Sequence, residues 1–173
     1  MAEVKSALEI AMERAAALGV GEDDSKRQAQ EKGQALARQC LEGDLTPTDM
    51  AAQLAGMAPD SVASAARALL EALGEDRDGA LPALEAMCSQ GAAKEAYEAL
   101  ARVQEQRERT RRELDSELAQ GMLADLAARG IRGSALHPNP AAHLDYAARS
   151  QEALAGAEAE LKAAGGQLVK ALA

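Results

Sequence analysis

The sequence has no phenylalanine, no tryptophan and only two tyrosines, Tyr97 and Tyr146. Aromatic side chains commonly line small-molecule pockets and stack on nucleic-acid bases, so their scarcity disfavours both kinds of site. Valine, isoleucine and threonine together number ten, which leaves few of the residues that favour β-strands. The chain therefore lacks the side chains typical of a β-sheet or of an aromatic-lined pocket.

Cysteine is also scarce: Cys40 and Cys88 are far apart and form no CxxC motif, which argues against zinc and redox sites. We interpret both as reduced thiols of a cytoplasmic protein. No run approaches the roughly 20 apolar residues of a membrane span, and no apolar run follows the charged N-terminus, so we expect neither a membrane segment nor a signal peptide. The net charge of −9 makes nucleic acid an unlikely partner.

Alanine is the most abundant residue, with 43 copies in 173 positions, and it has the highest helix propensity of all. The large apolar residues are mainly 22 leucines and six methionines, which is a thin supply for one compact core. We therefore predict an all-α protein, built as an elongated helical bundle. Self-association is the expected way to cover the remaining apolar stripes.

Glycines, prolines and N-cap residues divide the chain into segments of helical pattern. The predicted helices are residues 3–18, 22–42, 47–55, 59–73, 81–89, 92–129 and 140–173. Two N-terminal helices at 1–43 are expected to pack on the bundle, and short helices at 44–90 to form a lobe. A long antiparallel hairpin, coiled-coil-like, occupies 91–173 with its loop at about 130–140. We expect one cooperative domain.

Three local signals support these boundaries. Thr46, Pro47 and Asp49 form the pattern of an N-cap, a first-turn proline and an acid three residues after the cap. Gly43 is placed to stop the preceding helix. Gly33 lies in mid-helix, where glycine costs up to about 1 kcal/mol relative to alanine. A glycine is tolerable at such a position where a neighbouring helix comes very close to the backbone.

The last helix has a heptad pattern in which leucine alternates with a small residue, and this pattern is typical of a coiled-coil seam. The seam of the hairpin is predicted to contain Leu100, Leu114, Leu118, Leu154, Ala157, Leu161, Ala164 and Leu168. If the loop is centred near residue 135, the numbers of facing residues sum to about 270. The seam of the first long helix has a polar middle that includes Arg107.

The spacing of Ala52, Gly56 and Val62 resembles a helix-turn-helix, in which a small residue, a turn glycine and an aliphatic residue pack two helices together. The alternative function is then a DNA-binding regulator, with its motif at 47–73 and the hairpin as its dimerisation element. The residues that would face DNA are Ser61, Ser64 and Arg67. A single arginine provides few contacts to DNA bases and phosphates. We therefore prefer to interpret the spacing as a structural packing unit.

Two further patterns are weighed for chemistry. Residues 165–167 spell GGQ, which resembles the tripeptide of peptide-release factors. Here it stands inside an acidic heptad pattern instead of a basic loop, so we interpret it as a weak point of the helix. His137 and His143, with Asp145 close by, match no standard metal spacing. We therefore predict no catalytic residue, no metal and no cofactor.

Residues 5–13, KSALEIAME, resemble the start of small, uncharacterised helical bacterial proteins. The resemblance covers about the first forty residues, and it implies a helical fold without an activity. The sequence as a whole favours a non-enzymatic cytoplasmic scaffold or interaction protein. Its expected partner is a second copy of the chain or another helical protein.

Overall fold

The computed structural model describes residues 20–89 and 91–172, with side chains from residue 23 onward. The described part is entirely helical and contains no strand, which confirms the all-α prediction. Its helices are α1 (Val20–Glu42), α2 (Pro47–Leu54), α3 (Pro59–Gly74), α4 (Ala80–Met87), α5 (Gly91–Ala128) and α6 (Tyr146–Leu172), with a 3₁₀ turn at Pro140–Ala142. The predicted helix at 3–18 and the resemblance at 5–13 lie outside the described residues.

The chain divides into two compact units. The first contains the described residues up to 93 together with those from 169 onward, and the second contains residues 94–168. Within the first unit, α1 packs mainly on α3, and α2 packs mainly on α4. The described parts of 1–43 and 44–90, which the sequence pattern separates, thus share one unit. Among all described helices, none is both long enough and apolar enough to cross a membrane.

The core of the first unit combines a few large side chains with many alanines. Met50, Leu69 and Leu84 are fully buried. The buried alanines around them are Ala37, Ala63, Ala65, Ala66, Ala72, Ala80 and Ala83. Because an alanine leaves the helix backbone almost bare, these helices can approach one another closely. Alanine therefore serves packing here as well as helix propensity.

The predicted cap at Thr46 is confirmed. The Thr46 hydroxyl accepts a hydrogen bond from the Asp49 backbone N–H at 3.2 Å, and it donates to the Asp49 carboxylate at 2.7 Å. Pro47 occupies the first helical position, where its missing N–H costs nothing. This reciprocal pair satisfies a backbone donor at the start of α2 and fixes where the helix begins.

Two glycines end helices in the left-handed conformation. Gly43 has φ +86°, and Gly130 has φ +80°. After Gly130, the Ile131 N–H donates to the Leu126 carbonyl at 2.9 Å, and the Gly130 N–H donates to Ala127 at 3.0 Å. This is the Schellman arrangement, which satisfies the last carbonyls of α5. Both stops agree with the boundaries that the glycines predict.

Two helix starts differ from the prediction. Helix α1 is described from Val20 onward, so Gly21 lies inside a helix instead of in a loop. Helix α6 begins at Tyr146, six residues after the predicted position. Asn139 accepts the Ala141 N–H through its side chain and starts only a short 3₁₀ turn. His143 then turns extended, with φ −69° and ψ 136°, so the helix has to start again.

One ion pair connects α5 and α6 within the second unit. An Arg149 guanidinium nitrogen donates to the Glu117 carboxylate at 2.7 Å, which joins the two helices across the loop. The predicted register would place Glu117 opposite residue 153, so the observed pair lies about one turn away from it.

Candidate interaction surfaces

The leucines of the predicted seam are buried. All six are at most 8% exposed, and Ala157 and Ala164 are half-buried. The buried leucines are Leu100, Leu114, Leu118, Leu154, Leu161 and Leu168. These residues belong to the fold of a single copy, so a surface for a partner has to lie elsewhere.

The same seam contains two buried polar residues of α5. Gln104 is 5% exposed and Arg107 is 6% exposed. The Gln104 amide nitrogen donates to Glu108 at 3.4 Å, whereas its carbonyl oxygen has no hydrogen-bond partner in the described structure. Polar side chains at seam positions specify which register two helices adopt, at a cost in stability. The prediction that Arg107 lies on this seam is consistent with its burial.

The outer face of α6 is a stripe of small residues. It lies on the side of the helix opposite Leu154, Leu161 and Leu168, because these positions fall about half a turn away at 100° per residue. The stripe consists of Ala155, Gly156, Ala159, Ala163 and Gly166, and each of these residues is exposed; Glu152 lies on the same face and separates them from Ala148. The heptad pattern does not predict this stripe, because the heptads are defined by the leucine positions. The spacing of the alanines on the other face of the helix indicates the stripe.

Exposed apolar side chains gather near the loop between α5 and α6. Leu144 is 99% exposed, Ile131 is 44% exposed and Leu123 is 37% exposed. Leu123 lies in the last turns of α5, and the other two lie in the segment that leads to α6. Single exposed leucines are common on protein surfaces, so these three residues do not define a site by themselves.

The helix-turn-helix alternative needs a correction at two of its three residues. Ser61 is 2% exposed and Ser64 is 3% exposed, so neither can contact DNA. Their face of α3 packs against α1, and only Arg67 is exposed. Half of α3 is buried, including residues that a recognition helix would present. Here α3 is the central helix of a core.

A polar groove of about 350 Å³ runs between α1 and α3. Arginines from three elements line it: Arg38 of α1, Arg67 of α3 and Arg77 of the loop after α3. Gln30, Gln34, Glu71 and Glu75 complete its polar lining. Sequence reasoning missed the groove because these residues come together only when α1 packs on α3.

Both cysteines are buried and reduced in the described structure. Burial raises the pKa of the Cys88 thiol to about 11, and it also raises the pKa of Cys40. A raised pKa keeps a thiol protonated, and a protonated thiol is a poor nucleophile and a poor metal ligand. Both residues therefore behave as core side chains.

The segments that contain the two histidines and GGQ do not form a cluster of functional side chains in the described residues. The His143 ring accepts the Asp145 backbone N–H at 3.2 Å, which is a local turn contact. No three potential metal ligands come together anywhere in the described residues. Residues 165–167 lie within α6, where Gly165 is buried while Gly166 and Gln167 are exposed.

Comparison with known proteins gives no family to draw on. No protein-family model, no curated protein and no solved structure matches the chain. Function therefore has to be inferred from the surfaces described above.

Proposed function

We propose that this chain is a non-enzymatic cytoplasmic interaction protein that self-associates through the small-residue face of α6. The observation that supports the proposal is the stripe at residues 155–166, exposed along about three helical turns on the side of α6 away from its buried leucines. Such a face has few side-chain groups that interact with water, and its small side chains allow another helix to pack on it. Without bulky side chains, a second helix can approach to the short end of the usual 8–10 Å interaxial range.

The charges beside the stripe favour a second copy in antiparallel orientation. Glu158 and Lys162 lie on one edge of the stripe, one turn apart and with opposite charge. A copy related by a two-fold axis near residue 160 would place the Glu158 position of each copy beside the Lys162 position of the other. The homodimer would then pair opposite charges at its rim and alanines at its centre.

In the same proposal, α5 and α6 form the long antiparallel hairpin that displays the stripe. The pair Glu117–Arg149 supports this arrangement near the loop, and the buried leucines of both helices support it farther along. Leucine contacts would hold each hairpin together, and alanine contacts would hold two hairpins together. The leucine face would stabilise the monomer, and the small-residue face would stabilise the dimer.

Sedimentation equilibrium over a wide concentration range tests the proposal. The unmodified chain should show a mass that rises toward a dimer with concentration. Ala159→Glu adds bulk and charge at the centre of the stripe and should shift the chain to monomer. Ala124→Glu makes the same change at an exposed alanine of α5 and should associate as the unmodified chain does.

Two results would contradict the proposal. One is a monomer at every concentration, and the other is a dimer that Ala159→Glu leaves intact. Circular dichroism on each variant shows whether its helix content is preserved, so that loss of the dimer is not confused with unfolding.

A further inference from the structure

The groove between α1 and α3 brings three guanidinium groups to one concave surface. Arg38, Arg67 and Arg77 are all exposed at its rim. None of the three makes a salt bridge or a side-chain hydrogen bond within the part of the chain that the structure describes. Their donors are therefore available to a ligand.

Four other arginines in the described residues form salt bridges. Arg27 contacts Asp24 and Glu31, Arg109 contacts Glu113, Arg112 contacts Glu108, and Arg149 contacts Glu117, at distances of 2.7–3.8 Å. The chain carries 28 acidic residues against 19 lysines and arginines, so partners for arginine are plentiful. Arg38, Arg67 and Arg77, by contrast, meet around one groove without a partner in the described residues.

The dimensions of the groove favour an elongated ligand. On α1 its lining runs from Gln30 to Leu41, which corresponds to about 16 Å at 1.5 Å per residue. Gln30 and Gln34 line the same side and carry amides that can bond a peptide backbone. A compact ion would fill only a small part of this length.

The charges of the groove select between kinds of anion. Glu71 and Glu75 line it beside the three arginines, which leaves one net positive charge. That balance disfavours a small multivalent anion such as a polyphosphate, because its concentrated charge would lie close to both carboxylates, whereas the charges of a peptide are spaced along its chain. No aromatic side chain lines the groove, so a nucleobase has nothing to stack on. Separated carboxylates match separated arginines best.

We propose that this groove binds an acidic peptide segment of a partner protein, with Asp or Glu side chains of the segment pairing with Arg38, Arg67 and Arg77. The planar guanidinium group binds a carboxylate through two parallel hydrogen bonds, which gives geometric selectivity as well as affinity. This site is separate from the α6 stripe, so each proposal can fail without the other.

Fluorescence polarisation with the full chain tests the proposal. The probe is a labelled 12-residue peptide with glutamate at most positions, and a lysine peptide of equal length serves as the charge-reversed control. The glutamate peptide should bind, and the triple variant Arg38→Gln, Arg67→Gln, Arg77→Gln should weaken its binding by at least tenfold. Arg27→Gln removes an arginine of α1 outside the groove and should leave binding unchanged.

The outcomes separate the proposal from its alternatives. It is overturned if the triple variant binds the peptide as well as the unmodified chain, or if neither binds it. Equal binding of the lysine peptide would also overturn it. If inorganic phosphate displaces the peptide at equal concentration, the groove is a site for small oxyanions instead. Circular dichroism of the triple variant confirms that its helices are intact.

Discussion

Gly33 of α1 lies directly against the backbone of Ser61 of α3. A Cβ atom built on Gly33 would stand 2.9 Å from the Ser61 carbonyl carbon and 3.1 Å from its Cα, and it would overlap the carbonyl oxygen. Backbone cannot move aside as a flexible side chain can. This contact confirms the expectation that a glycine in mid-helix marks the close approach of a neighbouring helix.

Gly33→Ala should destabilise the first unit. The added methyl group forces α1 and α3 apart, and overpacking of this kind costs about 1–3 kcal/mol. The helix propensity of alanine recovers only about 1 kcal/mol of that loss. Thermal unfolding followed by circular dichroism measures the change.

Gly121→Ala supplies the matched control on α5. Nothing lies within 4 Å of a Cβ at this position, and the residue is helical and exposed. The free energy of unfolding should rise by about 0.5–1 kcal/mol. Equal effects of the two substitutions would contradict the close approach of α1 and α3.

Gln104→Leu should stabilise the chain. The side chain is 5% exposed, and its carbonyl oxygen has no hydrogen-bond partner in the described residues. Replacing a partly satisfied buried polar group by an apolar one of similar size recovers a desolvation cost of about 1–3 kcal/mol. Chemical denaturation measures the change, and a loss of stability would show that the carbonyl is satisfied by water or by another group.

The salt bridge between Glu117 and Arg149 should give a small coupling energy. Both side chains are substantially exposed, at 67% and 40%, so a double-mutant cycle with alanine should yield only a small favourable coupling. The coupling should shrink as salt is added. The pair Arg109–Glu113 within α5 gives the comparison within one helix. No coupling at low salt would argue against this register of α5 and α6.

Cys88 should react slowly with thiol reagents in the folded chain. Burial raises its pKa to about 11, so the thiolate is scarce at pH 8, and access is also restricted. A cysteine introduced by Ala124→Cys at an exposed position should react at the rate of a free thiol. Fast reaction of the native thiols before denaturation would contradict their burial.

The same pKa gives a pH dependence with a definite sign. The folded state holds the Cys88 proton up to about pH 11, whereas the unfolded chain releases it near 9.0. Between these values the unfolded state binds fewer protons, so the free energy of unfolding should fall as the pH rises. Cys88→Ser should weaken that part of the dependence.

The sequence predicts local features of this protein well and distant ones poorly. Three predictions are confirmed: the cap at Thr46, the helix stop at Gly43 and the close contact at Gly33. The first two depend on a few neighbouring residues, and the third depends on the absence of a side chain. The burial of Ser61 and Ser64 depends on how α3 packs on α1, and a serine gives no sign of that in sequence.

The candidate surfaces show the same limit. Arg38, Arg67 and Arg77 are scattered over forty residues, and only the packing of two helices gathers them around one groove. Glu117 pairs with Arg149 and not with a residue near 153, and α6 begins only at Tyr146, after a 3₁₀ turn and an extended His143. Loop conformation of this kind is set by individual turn contacts, for which helical periodicity carries no information.

The outer face of α6 also has a thermodynamic consequence. Alanine and glycine have no side-chain rotamers to lose, so a helix that docks there would bind without the ordering cost that lysine or leucine side chains carry. Little area is buried for each residue, so the attraction is weak as well. Association on such a face is set by the fit of two backbones, and a single added side-chain branch is enough to prevent it.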